Sequence, residues 1–208
     1  VQKMALGAML QDADKADQIF GEFRQLALES PYTFQEFTKF GKQLTAFNIP
    51  AEQLVDTTKM LADVAAGWGV DMQRIILAYG QIKSAGVLKG TELRQLTEAG
   101  VPILDELAKQ IERTTGKTVQ LAEVFDMISK KQIPFAMVEQ AFRDMTSEGG
   151  KFYNMQEVLV ETLAGKIGKL KDTWQQALYD IGSAQSGILK GSVDFLTNII
   201  ANYDKLGR

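Results

Sequence analysis

Apolar residues recur at intervals of three and four throughout this 208-residue chain, and no long stretch alternates between apolar and polar residues. The first spacing places side chains on one face of an α-helix, whereas alternation is the pattern of a half-buried β-strand. Glycine or proline interrupts the helical pattern at short intervals over the first 150 residues. The sequence therefore predicts an all-α fold of short helices, without a sheet.

Seven segments carry these apolar stripes before residue 150. The clearest start is at Thr33, where Glu36 follows three residues later, because in that arrangement each side chain caps the backbone of the other residue. Other ends are marked by proline, which fits the first turn of a helix, and by glycine, which fits the left-handed position after the last turn. We expect helices to begin near Asp12, Thr33, Pro50, Asp71, Val101, Leu121 and Pro134.

A sharp corner lies between two of these stripes. Apolar residues recur at helical spacing from Met72 to Ile82 and again from Val101 to Ile111. Between them, Gly100 suits the left-handed position past a helix end, and Pro102 suits the first turn of the next helix. The sequence therefore predicts two helices that meet at residues 100–102.

Beyond Gly150 the apolar residues form one longer stripe. They step by three or four residues from Met155 to Ile181, and apolar positions resume after a glycine- and serine-rich interval at 182–187. We predict a compact helical module at residues 1–150 and a long helical arm at residues 151–208. Because a stripe of this length would leave much apolar surface in water, the arm should fold back as a hairpin at 182–187 or pair with arms of other copies.

Composition removes several classes of function. The chain contains neither cysteine nor histidine, so thiolate and imidazole ligands for zinc are absent, as is the commonest general base. Its 45% hydrophobic content predicts a folded core, and its net charge of -3 provides no general attraction to nucleic acid. No apolar run approaches the roughly 20 residues of a membrane helix. We expect no catalytic residues, no cofactor, no metal site and no membrane span.

Two short patterns could bind a ligand. Asp12, Asp14 and Asp17 have part of the spacing of a calcium loop, but the loop's glycine and closing glutamate are missing, so we favour a solvated helix face. Trp68 lies between two glycines and could form a platform for a ligand. We favour packing of its ring beneath a turn, because a large aromatic side chain usually buries its apolar surface.

Two further patterns bear on catalysis and nucleic acid. Glu29–Ser30 matches the Glu-Ser pair of lytic transglycosylases, in which one glutamate can act as general acid and base, but the other elements of that family are absent. Lys166, Lys169 and Lys171 follow a glycine-lysine rhythm without the spacing of a phosphate loop. These lysines could lie close to DNA phosphates, although a solvated helix face is the simpler interpretation.

Five segments, in the same order along the chain, resemble the conserved N-terminal region of bacteriophage tail tape measure proteins. One is the corner described above, which reads GTELRQL and then EAGVPIL, and the resemblance spans residues 28 to 182. Glu161, with Lys166 and Lys169 nearby, makes the last segment more charged than is usual in the family. The five segments are residues 28–34, 60–67, 90–104, 142–152 and 162–182.

The resemblance implies a structural protein of a phage or prophage tail whose helical length sets the length of the tail. It also implies three kinds of partner: other copies of the chain, tail tube proteins and tail assembly chaperones. The expected location is the virion, with assembly in the host cytoplasm. The first residue is Val1 and the pattern is still running at Arg208, so we expect a fragment of a longer chain. A helical module that binds another protein, without a ruler function, stays open as the alternative, and a transglycosylase is a minor one.

Overall fold

A computed structural model describes the backbone of residues 2–181, with side chains described over residues 6–162 and 166–177. Within this range the chain forms helices joined by short turns, and one isolated antiparallel bridge, between Val87 and Pro134, is the extent of β pairing. The all-α prediction is confirmed. The helices are α1 (Gln2–Leu10), α2 (Ala13–Leu28), α3 (Phe34–Ala46), α4 (Ala51–Trp68), α5 (Met72–Ala85), α6 (Gly90–Glu98), α7 (Ile103–Thr115), α8 (Leu121–Ser129), α9 (Phe135–Thr146), α10 (Met155–Val160) and α11 (Leu163–Ile181).

Helix α4 lies at the centre of the described fold. It packs against α2, α3, α5, α9 and α10. Its burial on several sides follows from its sequence, because the run from Met60 to Ala66 is apolar except for Asp63, and every residue of that run is buried. A helix that is apolar on most of its circumference gains most when other helices surround it. The rest of the core is arranged around this helix.

Local sequence signals set several helix ends, and the start of α3 at Thr33 is one that was predicted. Thr33 and Glu36 form the reciprocal capping pair at the start of α3, with both hydrogen bonds present. Helices α4, α5 and α7 each end at a glycine in the left-handed conformation, with Gly69 at φ 65°, Gly86 at φ 75° and Gly116 at φ 70°. An L-residue with a side chain rarely adopts that conformation, so these glycines terminate the helices.

The predicted corner exists, but the helix before it is not the one expected. Gly100 is left-handed, at φ 78°, and Pro102 directly precedes α7. The stretch upstream is divided into α5 and α6, because Gly86 ends α5 and the next residues pair with another part of the chain. The N–H of Leu88 donates to the carbonyl of Ile133 at 2.9 Å. The corner therefore joins α6 to α7, and the prediction of two helices over this stretch was one helix short.

The described part of the predicted arm contains two helices. The chain forms a turn at Glu161 and a bend at Thr162 between α10 and α11, and α11 then packs against α10 and α2. The hairpin predicted at 182–187 falls outside the described residues. Helix α1 was not predicted from the sequence; Leu6 on this helix is fully buried, and α1 packs against α2 and α3. Among the described helices, none combines the length and the apolar character that crossing a membrane requires.

Candidate functional site

The five segments that carry the family resemblance meet along one boundary of the fold. On one side are α4, the α2–α3 turn and the α6–α7 corner, and on the other are α10, α11 and the turn that precedes them. We call this boundary the seam. It has an apolar part around Phe152, a polar part around Gln156 and a carboxylate contact at Asp172.

The apolar part of the seam is a ring packed over a glycine. Phe152 is 2% exposed and lies over Gly67 of α4, where an added Cβ would come within 2.5 Å of the Phe152 ring. The Trp68 ring meets Phe152 edge to face, with the ring centroids 5.8 Å apart. Trp68 also covers the corner, since a Cβ on Gly100 would be 3.5 Å from its ring. The lack of a side chain at Gly67 thus makes room for the Phe152 ring, whereas at Gly100 a Cβ would stand at ordinary contact distance from Trp68.

Trp68 is partly packed and partly exposed. Its side chain retains 43% exposure, and Lys151 Nζ lies 5.0 Å from the centre of its ring, within the range of a cation–π contact. The predicted packing of Trp68 against a turn is present at Gly100. Tyr153, which follows Phe152 in the sequence, is 46% exposed, so this end of the seam carries two exposed aromatic side chains.

The polar part of the seam is a hydrogen-bonded cluster, which we call the latch: Ser30, Lys59, Asp63, Asn154 and Gln156. The backbone N–H and the side-chain amide of Gln156 both donate to Asp63 Oδ1, at 3.1 and 3.0 Å. The same amide also donates to the Lys59 carbonyl at 3.2 Å, and its oxygen accepts from Ser30 Oγ at 2.6 Å. Lys59 Nζ donates to Asp63 Oδ2 at 3.0 Å and to Asn154 Oδ1 at 3.3 Å.

Three side chains of the latch are buried, so their polar groups need hydrogen-bond partners. Ser30, Asp63 and Gln156 are each no more than 3% exposed. A buried carboxylate without partners would be strongly unfavourable, but Asp63 accepts three hydrogen bonds, one of them from a charged lysine. Gln156 engages its amide oxygen and both amide hydrogens. The latch therefore holds α10, α4 and the α2–α3 turn in a single register.

The carboxylate of Asp172 on α11 forms a second polar contact across the seam. It is buried, it accepts a hydrogen bond from the backbone N–H of Phe34 in the first turn of α3, and Gln176 donates to it at 3.3 Å. Burial raises the pKa of this carboxyl above its ordinary value, and the nearby Glu36 carboxylate adds to the rise. The N-terminus of α3 offers unpaired N–H groups, which suit a carboxylate.

The two residues that match the transglycosylase pattern, Glu29 and Ser30, lie in different environments. Glu29 is exposed at the C-terminal end of α2, whereas Ser30 is buried and donates its hydroxyl to Gln156. A glutamate that serves as both acid and base needs a cleft that positions a substrate and perturbs its pKa. The two residues therefore do not form a common site, and Ser30 belongs to the latch.

The remaining candidate residues lie on helix surfaces. Asp12 caps α2 by accepting from the backbone N–H of Lys15 at 3.0 Å. Over the described residues, acidic side chains do not gather in a group of three that could hold a metal ion. Lys166 and Lys171 are exposed on α11, with Lys169 half-buried between them. Nothing in this arrangement of the described residues singles out DNA, and the predictions of no metal and no cofactor stay predictions.

One open groove in the described part of the chain, of about 510 Å³, has mixed charge. It runs between α7 and the turn after α9, and its floor includes Met145. Its charged walls are paired: Lys109 contacts Glu106 at 2.7 Å and Arg113 contacts Asp144 at 3.0 Å. Charges neutralised in this way provide no strong field for an anionic or cationic ligand.

Helix α8 exposes apolar side chains on its outer face. Val124 and Ile128 are buried against the module, whereas Leu121 and Phe125, one helical turn apart, are 44% and 51% exposed. The sequence predicted the helix from all four residues but did not separate the two faces. Neighbouring exposed apolar side chains are typical of surfaces that contact other proteins, although single ones are common on any protein.

Sequence reasoning missed the residues of the latch. Asp63 is recognisable in the sequence, because it is the one charged residue in the apolar run from Met60 to Ala66. A buried charge in a helix needs a partner, so its position could have predicted a polar contact there. Gln156 left no such signal, since a glutamine in a short amphipathic stretch is usually solvated.

Comparison with known families supports the resemblance seen in the sequence. The sequence model of the tape measure protein family matches residues 2–183, which include all of the described residues and therefore the whole seam. No curated protein and no solved structure matches the chain.

Proposed function

Because this chain belongs to the tape measure protein family, we propose that it is a structural and assembly protein of a phage or prophage tail and acts as the ruler of tail length. The observation that carries the proposal is the family match over residues 2–183. The all-helical architecture supports it, because an α-helix converts residues into length at about 1.5 Å per residue.

Within that role, the described residues supply a folded module and not the ruler itself. Helices α1 to α9 surround one core, and the longest described helix, α11, has 19 residues. A helix of that length spans only about 28 Å. We therefore assign length determination to chain outside residues 2–181, and to this module the task of joining other components during assembly.

The proposed partners are other copies of this chain, tail tube proteins and a tail assembly chaperone. Exposed apolar side chains suit contacts with proteins. They include Leu121 and Phe125 on α8, and Trp68 and Tyr153 at one end of the seam. DNA would pass close to the chain in the tail lumen without a specific site for it. The location that follows is the virion tail, with assembly in the host cytoplasm.

A helical protein-binding module without a ruler function is the second candidate, and the exposed face of α8 is what favours it. A catalytic role has no comparable support. The one glutamate with a sequence match to a hydrolase, Glu29, lies on the surface with its neighbour Ser30 engaged in the latch. We propose that the chain is not an enzyme.

Tail length tests the ruler. Where the gene continues beyond residue 208, an in-frame deletion of about 60 residues of predicted helix from that continuation should shorten tails by about 90 Å, measured on electron micrographs. Replacing the same segment with an unrelated helical sequence of equal length should restore normal tails. Tails of normal length after the deletion would contradict the ruler function and favour the hypothesis of a protein-binding module.

A further inference from the structure

We propose that the latch is releasable, so that α10 and α11 undock together from α1–α9 while the core of the module stays folded. The proposal rests on how the seam differs from the rest of the core. It concerns a conformational change within the chain and is independent of the ruler function.

Buried polar contacts between elements are concentrated at the seam. Among the described residues, Ser30, Asp63, Gln156 and Asp172 are buried polar side chains with partners in another element. Elsewhere, buried Thr38 and Thr58 bond to carbonyls within their own helices, at 2.8 and 2.6 Å, and Glu106 pairs with Lys109 of its own helix. Polar bonds such as Arg113–Asp144 also join helices elsewhere, but at more exposed positions, so the seam is the described boundary at which buried polar side chains join separate helices.

Separating a polar boundary costs less than separating an apolar one. When the latch opens, its amide, hydroxyl and carboxylate groups regain hydrogen bonds with water, so that the net loss is small. Apolar side chains have no such compensation, and the core around α4 consists of them. Undocking exposes Phe152 and Met155, far fewer apolar side chains than unfolding of the core around α4 would expose. Because proteins open first where fewer apolar contacts are lost, α10 and α11 should open before the core unfolds.

The latch also favours two discrete states. Gln156 uses all three of its side-chain hydrogen-bonding groups, and Asp63 receives two of its three bonds from Gln156. A small shift of α10 would leave buried groups without partners, which is more costly than full exposure to water. Partly docked arrangements are therefore disfavoured, and α10 and α11 are either docked on the module or released from it.

The turn before α10 provides a place for the chain to pivot. Gly149 is left-handed, at φ 81°, and Gly150 packs so closely on the carbonyls of Asp144 and Met145 that a Cβ would overlap them. Gly149 lets the backbone change direction with little steric restriction. The close approach at Gly150 and the bond from the Phe152 N–H to the Met145 carbonyl, at 2.7 Å, hold the turn on α9 and must open for release. Release would uncover Phe152 and the surface over Gly67, so the open state would present an apolar site that the docked state conceals.

Hydrogen exchange on the 208-residue chain tests the proposal. At neutral pH, backbone amides of α10 and α11 should exchange through a common opening that is faster than the opening of α4 and α5. Gln156→Glu places a second carboxylate against Asp63 and should increase exchange in α10 and α11 by roughly tenfold or more, with α4 and α5 unchanged. Gln175→Glu, the same change at an exposed position of α11, is the matched control and should have little effect.

Acid should reverse the effect, because a protonated glutamate is neutral and close in shape to glutamine. Ser30→Ala, which removes one hydrogen bond to Gln156, should give a smaller increase confined to the same helices. Equal changes in α4 and α10, unfolding of the whole chain by Gln156→Glu, or unchanged exchange in both variants would each overturn the proposal.

Discussion

At the scale of single residues, one buried hydroxyl stands out. Tyr79 on α5 is fully buried, and its ring meets Phe135 and Phe142 edge to face, with centroids 5.2 and 5.4 Å away. Its hydroxyl has no hydrogen-bond partner among the described residues, and burial raises its pKa far above the usual range. The ring stabilises the core while the hydroxyl opposes burial.

Removing that hydroxyl should therefore stabilise the fold. Tyr79→Phe keeps the ring contacts and is expected to raise the free energy of unfolding by about 1 kcal/mol, measured by urea denaturation. Tyr153→Phe, at a residue that is 46% exposed, is the control and should change it little. A loss of stability in Tyr79→Phe would mean that the hydroxyl has a partner, such as a buried water.

Replacement by alanine should have opposite effects on stability at two helical glycines. Gly80 of α5 faces the Phe47 ring so closely that a Cβ would overlap it, whereas a Cβ on Gly21 of α2 would meet nothing within 4 Å. Alanine is the better helix former at both positions. Gly80→Ala should lower the free energy of unfolding by about 1–3 kcal/mol through overpacking. Gly21→Ala should raise it by roughly 0.5–1 kcal/mol. Thermal or urea unfolding of the two variants measures both, and the same sign for the two would contradict the close approach at Gly80.

At the scale of elements, the docking of α11 should depend on pH through Asp172. Burial raises the pKa of this carboxyl, so the folded chain binds its proton more tightly than the unfolded chain does. At neutral pH the charged carboxylate therefore opposes docking. That cost is relieved as the pH falls through the raised folded-state pKa, and below the unfolded-state pKa no further gain occurs.

We expect amide exchange in α11, corrected for the intrinsic effect of pH, to slow as the pH falls from about 7 to about 4. Asp172→Asn keeps an oxygen for the Phe34 N–H and removes the charge, so α11 should be equally or better protected at neutral pH and should lose this dependence. An identical pH profile in wild type and variant would exclude Asp172 as the source.

At the scale of the whole molecule, the fold brings distant parts of the chain to one place. Ser30 and Gln156 are 126 residues apart in sequence and share a hydrogen bond of 2.6 Å. The contacts between α4 and α10 and between α2 and α11 join the two ends of the described chain. Loss of the latch should therefore weaken the attachment of α10 and α11 and leave the core around α4 in place.

Much of the architecture could be predicted from the sequence, because it depends on local physics. Apolar spacing predicted most of the helices, although it missed α1 and the division between α5 and α6. The Thr33–Glu36 pair predicted the start of α3, and glycine predicted the end of α4 at Gly69. These signals lie within a few residues of the feature they specify. The family resemblance was likewise visible in short segments, and the family match confirms it.

The tertiary structure alone decided what depends on contacts between distant residues. It paired the residues after Gly86 with the chain near Pro134, which separates α5 from α6, and it turned α8 so that Val124 is buried and Phe125 is exposed. It also made Gln156 the centre of a latch, although a glutamine on a short helix is usually solvated. Helical periodicity specifies which residues share a face, but the partner that covers this face is specified by the packing of the whole chain.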